Sequence, residues 1–190
     1  MRVAVVIPVK AFHAAKARLA PALEPAERAD LARSMATAVV RAAGDLPVTV
    51  VCDDPTVRDW ARGLGTSVCW SPGLGLNGAV AAGVDSVRAA GAQRAMVVHA
   101  DLPMARDLSP ALGDDGVLLV PDRHGDGTNV ISLPSGSGFR FAYGAGSFRR
   151  HLAEAERLRL PVTVHGDDAL GWDVDHPEDL DHPSGSLRLR

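Results

Sequence analysis

The sequence predicts an α/β fold in which helices cover both faces of a mostly parallel sheet, giving three layers. Short apolar, β-branched runs alternate with helical patterns along most of the 190 residues, which is typical of parallel strands joined by crossover helices. A hydrophobic content of 46% can supply one substantial core. No internal repeat or low-complexity linker divides the chain. We therefore expect one domain over residues 1–181 and a flexible C-terminal tail over 182–190.

The individual elements follow from apolar runs and from helix boundary signals. The run from Val3 to Val9 is almost entirely apolar, as a central strand buried on both faces should be. Glu24-Pro25 begins a helix with proline in its first turn, and Gly44 ends it. Further predicted strands lie at 48–52, 66–70, 95–99, 117–120, 129–133 and 161–164, and further helices at 55–64, 77–90, 147–158 and, briefly, from Pro177.

Bulk properties exclude several classes of partner. A formal net charge of −3 and a pI of about 6.1 give no general attraction to nucleic acid or to anionic membranes, so phosphate binding should be local. The apolar N-terminus is far shorter than the ~20 residues that a membrane span needs. Cys52 and Cys69 lie in no C-x-x-C or metal-ligand pattern, and we expect reduced thiols in a cytoplasmic protein that binds small molecules.

Lysine is confined to one short segment. Of the 20 basic residues, only Lys10 and Lys16 are lysine, and the other 18 are arginine. The two positions are therefore candidates for a compact ammonium that arginine cannot replace. Chance clustering is the alternative interpretation.

Three aspartates are candidate metal ligands. Asp101 follows the predicted fourth strand in His99-Ala100-Asp101-Leu102-Pro103 and so lies at the carboxyl edge of the sheet, where ligands bind. Asp173 and Asp175 are two residues apart, which places both carboxylates on one face of an extended segment. Magnesium prefers oxygen ligands, so these three would form a sufficient site. Alternatively, Asp101 accepts turn hydrogen bonds, and Asp175 caps the helix from Pro177.

Two polar loops are candidate anion sites. Tyr143 to Phe148 forms a glycine-rich turn that opens a helix and presents backbone N–H groups to an anion. Thr128, in the loop 126–129, can donate its hydroxyl to a carboxylate or phosphate. The alternatives are that Ser147 is an ordinary helix N-cap and that 126–129 is an ordinary hairpin turn.

The segment 73–78 matches G-x-G-x-x-G between a strand and a helix, which is a weak dinucleotide fingerprint. It follows the third predicted strand, and the acidic residue expected about 20 positions later would be Asp101. We therefore expect these glycines to let the backbone approach a nucleotide base or ribose. A flexible turn is the alternative. The phosphate-binding pattern G-x-x-x-x-G-K-[ST] does not occur.

Taken together, these motifs identify a family. The chain resembles the guanylyltransferases of coenzyme F-420 biosynthesis, which act on 2-phospho-L-lactate or phosphoenolpyruvate, from about Val3 to Leu180. The matching residues are Pro8-Val9-Lys10, Ala15-Lys16-Ala17-Arg18-Leu19, Gly75-Leu76-Asn77, His99-Ala100-Asp101-Leu102-Pro103, Asp126-Gly127-Thr128-Asn129, Tyr143-Gly144, Ser147-Phe148, His151 and Asp173-Val174-Asp175 before Pro177-Glu178-Asp179-Leu180.

The resemblance implies a nucleotide-diphospho-sugar transferase-like fold with a mixed seven-stranded sheet. It implies that Thr128, Gly144 and Ser147 hold the carboxylate of the small acid, and that Asp101, Asp173 and Asp175 hold Mg²⁺. The first loop is poorer in glycine than in the sugar-nucleotide enzymes. We therefore expect Lys10, Lys16 and Arg18 to contact the GTP triphosphate, Gly75 and Asn77 to contact the nucleoside, and Lys16, Arg18 and Asp101 to act in catalysis.

The implied reaction joins GMP from GTP to a small phosphorylated carboxylic acid and releases pyrophosphate. An arginine- and alanine-rich, lysine-poor composition favours phosphoenolpyruvate, which the family uses in high-GC actinobacteria, and 2-phospho-L-lactate is the alternative. A molybdopterin or sugar phosphate is a further possible acceptor. Two hypotheses come from other classes of protein: an NAD-dependent oxidoreductase that binds pyrophosphate at 73–78, and a nucleotide-binding protein without catalysis.

Overall fold

A computed structural model describes residues 1–182 and the backbone of residues 185–186. Its main sheet has seven strands in the order β3-β2-β1-β4-β6-β5-β7. The strands are β1 Val3–Pro8, β2 Val48–Cys52, β3 Ser67–Trp70, β4 Arg94–Val98, β5 Val117–Pro121, β6 Thr128–Pro134 and β7 Val162–Val164. The helices are α1 Pro25–Ala42, α2 Pro55–Gly63, α3 Gly75–Ala89 and α4 Ser147–Arg157. Within this described part, no helix has the length and apolar character needed to cross a membrane.

Alternate residues of the central strand face two different helical layers. Val5 and Ile7 of β1 pack in a core with α1 and α2, whereas Ala4 and Val6 pack with α3. Because successive side chains of a strand point to opposite faces, an apolar run such as β1 needs a layer on each side. The predicted three-layer, mostly parallel architecture is confirmed.

Strand β6 reverses the direction of the sheet and thereby assembles its functional edge. It runs antiparallel to both β4 and β5, so its first residue, Thr128, lies beside the carboxyl end of β4. The backbone N–H of His99 donates to the carbonyl of Asn129 at 3.0 Å. The loop after β4, which carries Asp101, is therefore adjacent to the hairpin that carries Thr128.

Helix α3 lies unusually close to the sheet at one glycine. A Cβ added at Gly83 would lie 2.5 Å from Cγ2 of Val51 and 2.7 Å from Cγ1 of Val6. Only the absence of a side chain permits this approach. The helix that begins beside the candidate nucleotide loop is thus packed directly on β1 and β2.

Element boundaries agree with the sequence predictions to within two residues, and the short helix from Pro177 is a 3-10 turn, Pro177–Leu180. The sequence did not predict three other 3-10 turns, Phe12–Ala14, Ala17–Leu19 and Ser109–Ala111. Residues Asp181–His182 pair with Gly185–Ser186 in a two-stranded ribbon. Most of the tail predicted over 182–190 lies outside the described residues.

Candidate active site

A cavity of about 790 Å³ opens at the carboxyl ends of the strands, where open α/β sheets bind their ligands. Its wall is formed by the loops after β1, β2, β3 and β4, by the β5–β6 hairpin and by the start of α4. All the candidate residues named from the sequence except Asn77 line it: Lys10, Lys16, Arg18, Gly75, Asp101, Thr128, Gly144, Ser147, Asp173 and Asp175.

Lys16 is the centre of the charged end of the cavity. Its Nζ lies 2.6 Å from Oδ2 of Asp101 and 3.1 Å from Oδ1 of Asp175. Its backbone has the left-handed conformation, with φ 54° and ψ 39°, which costs a residue with a Cβ about 1–2 kcal/mol. The ammonium lies among these carboxylates, and 10% of the Lys16 side chain is exposed. Arg18, which is more exposed, reaches the other oxygen of Asp175 at 3.4 Å.

Lys16 and Asp101 keep each other ionised. Burial alone would raise the pKa of Asp101, but Lys16 and then His99 outweigh it and hold that pKa below its ordinary value. Burial would likewise lower the pKa of Lys16, whereas Asp101 and Asp175 raise it. Asp101 and Lys16 are consequently an ion pair at neutral pH.

Asp173 is in a different electrostatic position. The pKa of its carboxyl is raised, first by burial and then by the charge of Asp101. A negative charge at Asp173 is therefore poorly compensated by the protein, which is the situation that an added cation would relieve.

The segment bearing Asp173 and Asp175 is attached to the β5–β6 hairpin by side chains. Arg123 forms an ion pair with Asp179, donates to the carbonyl of Asp173 at 3.1 Å, and lies 4.2 Å above the ring of Trp172. Sequence patterns gave no indication of this role for Arg123, because its partners are about 50 residues away.

Asp175 does not cap the turn from Pro177, so that alternative is wrong. His176 is the N-cap residue, and the backbone N–H groups of Asp175 and His176 both donate to Oδ2 of Asp179 at 2.7 Å. The Asp175 side chain is thus directed to Lys16 and Arg18.

The predicted metal ligands are near one another but do not form a closed cage. Among the described residues, no three histidine, cysteine or acidic side chains converge closely enough to hold an ion together. The Lys16 ammonium lies between Asp101 and Asp175 instead. However, Oδ1 of Asp101 is buried with no hydrogen-bond partner in the described part of the chain. A buried, ionised oxygen of this kind fits a hard cation such as Mg²⁺, which needs only one or two protein carboxylates when phosphates supply further oxygens.

The other end of the cavity has two buried hydroxyl groups, beside the hairpin that carries Asp122 and Asp126. Thr128 and Ser147 are each 2% exposed, and the Thr128 hydroxyl lies 3.0 Å from Nδ1 of His151. Ser147 is the first residue of α4, and the N-cap is Gly146, in a left-handed conformation with φ 70°. The interpretation of Ser147 as an ordinary N-cap is therefore wrong, because a capping serine must precede the first helical residue.

One backbone N–H group of the glycine-rich turn is already bound to a carboxylate of the protein. Oδ2 of Asp126 accepts the backbone N–H of Gly146 at 2.8 Å, so this N–H is not free for a ligand. Arg150 donates to the carbonyls of Ala142 and Ala145 and fixes the turn from the outside. Neither role was predicted, since each depends on contacts across a loop. Side-chain hydroxyls, more than a backbone cradle, remain to meet an anion here.

Asn77 is the one candidate that the structure places outside the cavity wall. Its side-chain oxygen accepts the backbone N–H of Tyr143 at 2.7 Å. This bond joins α3 to the segment leading into the glycine-rich turn. Asn77 therefore supports the site in this structure, and a contact to the nucleoside remains a prediction.

Comparison with known proteins agrees with this arrangement. Residues 3–182 match the family model for CofC-like guanylyl transferases. A phosphoenolpyruvate guanylyltransferase of Sphaerobacter thermophilus is 37% identical, covering 95% of this chain and 91% of the relative. A 2-phospho-L-lactate guanylyltransferase of Methanocaldococcus fervens is 29% identical, covering 93% and 82%. A solved structure from Desulfovibrio desulfuricans G20, described as a nucleotide-diphospho-sugar transferase, has a TM-score of 0.70 at 20% identity, covering 95% and 85%, and supports the predicted fold.

Proposed function

Because the chain belongs to the CofC-like guanylyl transferase family and is a nucleotidyltransferase, we propose that it transfers GMP from GTP to phosphoenolpyruvate. The products would be enolpyruvyl-diphospho-guanosine and pyrophosphate, as a step of coenzyme F-420 biosynthesis in the cytoplasm. The acid is the part of this proposal that rests most on the relatives.

One observation carries the proposal: a single cavity has cations and carboxylates at one end and buried hydroxyls at the other. Lys10, Lys16 and Arg18 supply positive charge for a triphosphate. Thr128 and Ser147 offer hydroxyls to a small carboxylate. A molecule bearing both phosphate and carboxylate, placed beside GTP, matches this distribution.

The reaction needs no covalent intermediate on the protein. An oxygen of the acid's phosphate forms a bond to the α-phosphorus of GTP, and the bond from that phosphorus to the bridging oxygen of pyrophosphate breaks. No strong general base is needed, since a phosphate monoester has already lost its protons at pH 7, with a second pKa of about 6. The protein's part is to place the two substrates in line and to stabilise the developing charge.

Magnesium is the proposed cofactor, held by Asp101 and Asp173 with Asp175 beside them. The unpartnered Oδ1 of Asp101 and the raised pKa of Asp173 support this assignment. When bound, the ion would neutralise charge on the phosphates during transfer. Lys16 would then have to move its ammonium away from the carboxylates and towards the triphosphate. Arg18 and Lys10 line the same cavity and are the other candidate phosphate contacts.

Two findings favour phosphoenolpyruvate over 2-phospho-L-lactate. The relative named for phosphoenolpyruvate is 37% identical to this chain, and the one named for 2-phospho-L-lactate is 29% identical. The lysine-poor, arginine-rich composition points the same way. The two acids differ at C2, which is planar in one and a methyl-bearing stereocentre in the other.

The decisive experiment measures pyrophosphate release by the purified protein with each of four nucleoside triphosphates and with phosphoenolpyruvate, 2-phospho-L-lactate, a molybdopterin or a sugar phosphate. Each combination is run with Mg²⁺ and with a chelator. We expect the fastest release with GTP, phosphoenolpyruvate and Mg²⁺ together. The Asp101→Asn variant should be inactive, and the Asp85→Asn variant, which changes an exposed pair on α3, should retain full activity.

Several outcomes would overturn the proposal. Faster release with 2-phospho-L-lactate would reassign the acid and keep the reaction. Release that requires a sugar phosphate or another triphosphate would reject the substrates. GTP binding with no pyrophosphate release for any acid would favour a nucleotide-binding protein, and a change in nicotinamide absorbance with a hydroxy acid would favour an oxidoreductase.

A further inference from the structure

His151 connects Thr128, at the end of the cavity that carries the buried hydroxyls, to the loop that contains Ala142. It lies one helical turn after Ser147 on α4 and is completely buried. Its Nε2 lies 3.0 Å from the backbone nitrogen of Ala142, and its Nδ1 lies 3.0 Å from Oγ1 of Thr128. Both ring nitrogens therefore have a protein partner.

The first of these contacts determines the tautomer. A backbone N–H can only donate, so Nε2 of His151 must accept from Ala142 and cannot carry a proton. In a neutral imidazole the proton is then on Nδ1. It follows that Nδ1–H donates to Thr128, and that the Thr128 oxygen is the acceptor in this pair.

The environment of the ring keeps it neutral and fixed. Burial, followed by the charges of Arg150 and His99, lowers the pKa of His151 to about 4. Tyr143 packs edge-on against the imidazole at 4.9 Å, and Phe139 lies 5.8 Å away. The ring therefore has one orientation and one protonation state at neutral pH.

We propose that His151 is a positioning residue that makes the Thr128 hydroxyl a one-way hydrogen-bond donor to the carboxylate of the bound acid. Because Oγ1 accepts from His151, its own proton is free to point elsewhere. No acceptor for that proton is found among the described residues, and Thr128 lines the cavity. A fixed donor facing an anion favours a carboxylate over a ligand group that can only donate.

This inference rests on the proposed function, and two histidine variants test it. Gln places its amide near the position of Nε2, so His151→Gln keeps an acceptor for Ala142 and loses the donor to Thr128. Asn places its amide near Nδ1, so His151→Asn keeps that donor. We expect His151→Gln to raise the KM for phosphoenolpyruvate by roughly tenfold or more with little change in the KM for GTP, and His151→Asn to restore most of the loss.

A double-mutant cycle separates positioning from packing. Thr128→Val removes the hydroxyl and should raise the KM for the acid as His151→Gln does, whereas Thr128→Ser should keep it low. The combined Thr128→Val and His151→Gln variant should be no worse than either single variant, because both remove the same oriented proton. Additive losses, or equal losses in His151→Gln and His151→Asn, would overturn the positioning role.

A spectroscopic measurement on the unmodified protein tests the inference without turnover. The ¹⁵N chemical shifts of the His151 ring, assigned by the signal missing from His151→Asn, report which nitrogen is protonated. We expect the proton on Nδ1 at pH 7. A proton on Nε2, or on both nitrogens, would overturn the inference. Absence of activity with every acid would instead reject the proposed function and leave this measurement valid.

Discussion

Nζ of Lys16 lies 2.6 Å from Oδ2 of Asp101, although 85 positions separate the two residues. The contact joins the loop after β1 to the loop after β4, which are adjacent strands of the sheet. An ammonium thus occupies space between carboxylates that we assign to a metal. Substrate and cation binding would therefore have to redistribute charge that the protein balances internally.

Replacing this ammonium should have two separable effects. Lys16→Met leaves Asp101 and Asp175 without their main cation, and we expect a loss of about 1–3 kcal/mol in the free energy of unfolding when no divalent metal is present. Added Mg²⁺ should recover much of that loss. Binding of GTP should weaken, more so at low ionic strength. The measurements are melting curves with and without Mg²⁺ and titration with GTP.

The control for the melting curves is Lys10→Met, since Lys10 is exposed and no described residue forms an ion pair with it. Equal melting of both variants would contradict the argument.

Asp173 should show opposite effects on stability and activity. The raised pKa of its carboxyl means that the folded protein disfavours this charge, so Asp173→Asn should raise the melting temperature in metal-free buffer. The same substitution should abolish pyrophosphate release, because a metal-ligand charge is lost. Asp101→Asn should abolish release and lower the melting temperature, since it breaks the pair with Lys16. Near-normal rates at saturating Mg²⁺ in both variants would remove the metal assignment.

Ser147→Ala should affect binding of the acid far more than stability. A lost hydrogen bond to a charged group is worth about 1.5–3 kcal/mol, which corresponds to a rise of about ten- to a hundredfold in the KM for phosphoenolpyruvate. Because Gly146 is the N-cap, no capping bond is lost and melting should be nearly unchanged. Ser137→Ala is the control, since its hydroxyl is buried without a partner among the described residues outside the cavity wall. If Ser147→Ala changed only the melting temperature, the carboxylate site would have to be sought elsewhere.

His151 should make stability depend on pH. Its pKa is about 4 in the folded protein and about 6.5 when unfolded, so the unfolded chain binds more protons between these values. The stabilising contribution is complete above about pH 6.5 and is lost progressively as the pH falls to about 4. The free energy of unfolding, measured with urea across this range, should change less steeply with pH for His151→Gln than for the unmodified protein. His13→Gln, at an exposed position, should keep the original slope, and parallel curves for all three proteins would refute the argument.

Two glycines in helices should respond oppositely to alanine. Gly83→Ala forces a Cβ into Val51 and Val6, and overpacking of this kind costs about 1–3 kcal/mol. A Cβ at Gly63, near the end of α2, meets no heavy atom within 4 Å, so Gly63→Ala should be neutral or stabilising by about 0.4–1 kcal/mol. Chemical denaturation measures both, and equal stability of the two variants would show that α3 can move off the sheet.

Sequence patterns predicted the architecture well because it depends on local chemistry. Buried parallel strands such as Val3–Pro8 and Val48–Cys52 are runs of apolar, β-branched residues, and Glu24-Pro25 begins α1 with a capping box. The loops that follow these strands then had to meet at one edge of the sheet. That geometry is why most candidate residues line one cavity, although their roles remain predictions.

What the sequence could not predict depends on contacts between distant segments. No pattern shows that Asp126 occupies the N–H of Gly146, or that Asn77 holds the backbone of Tyr143. Nor could the sequence decide between the helix starting at Ser147 and the alternative of Ser147 as its N-cap, because glycine and serine are both acceptable N-cap residues. The Lys16 pairs likewise required the relative placement of three loops.

The hairpin between β5 and β6 also joins the two ends of the cavity. Thr128 begins β6, the Asn129 amide holds the carbonyl of Leu170 at 2.9 Å, and Arg123 holds the segment that carries Asp173. The hairpin and the segment that carries Asp173 are therefore joined by direct hydrogen bonds. Binding linkage is reciprocal, so any factor by which the acid changes affinity for the cation is the factor by which the cation changes affinity for the acid. The hairpin is the element that such a coupling between the acid and the cation would share.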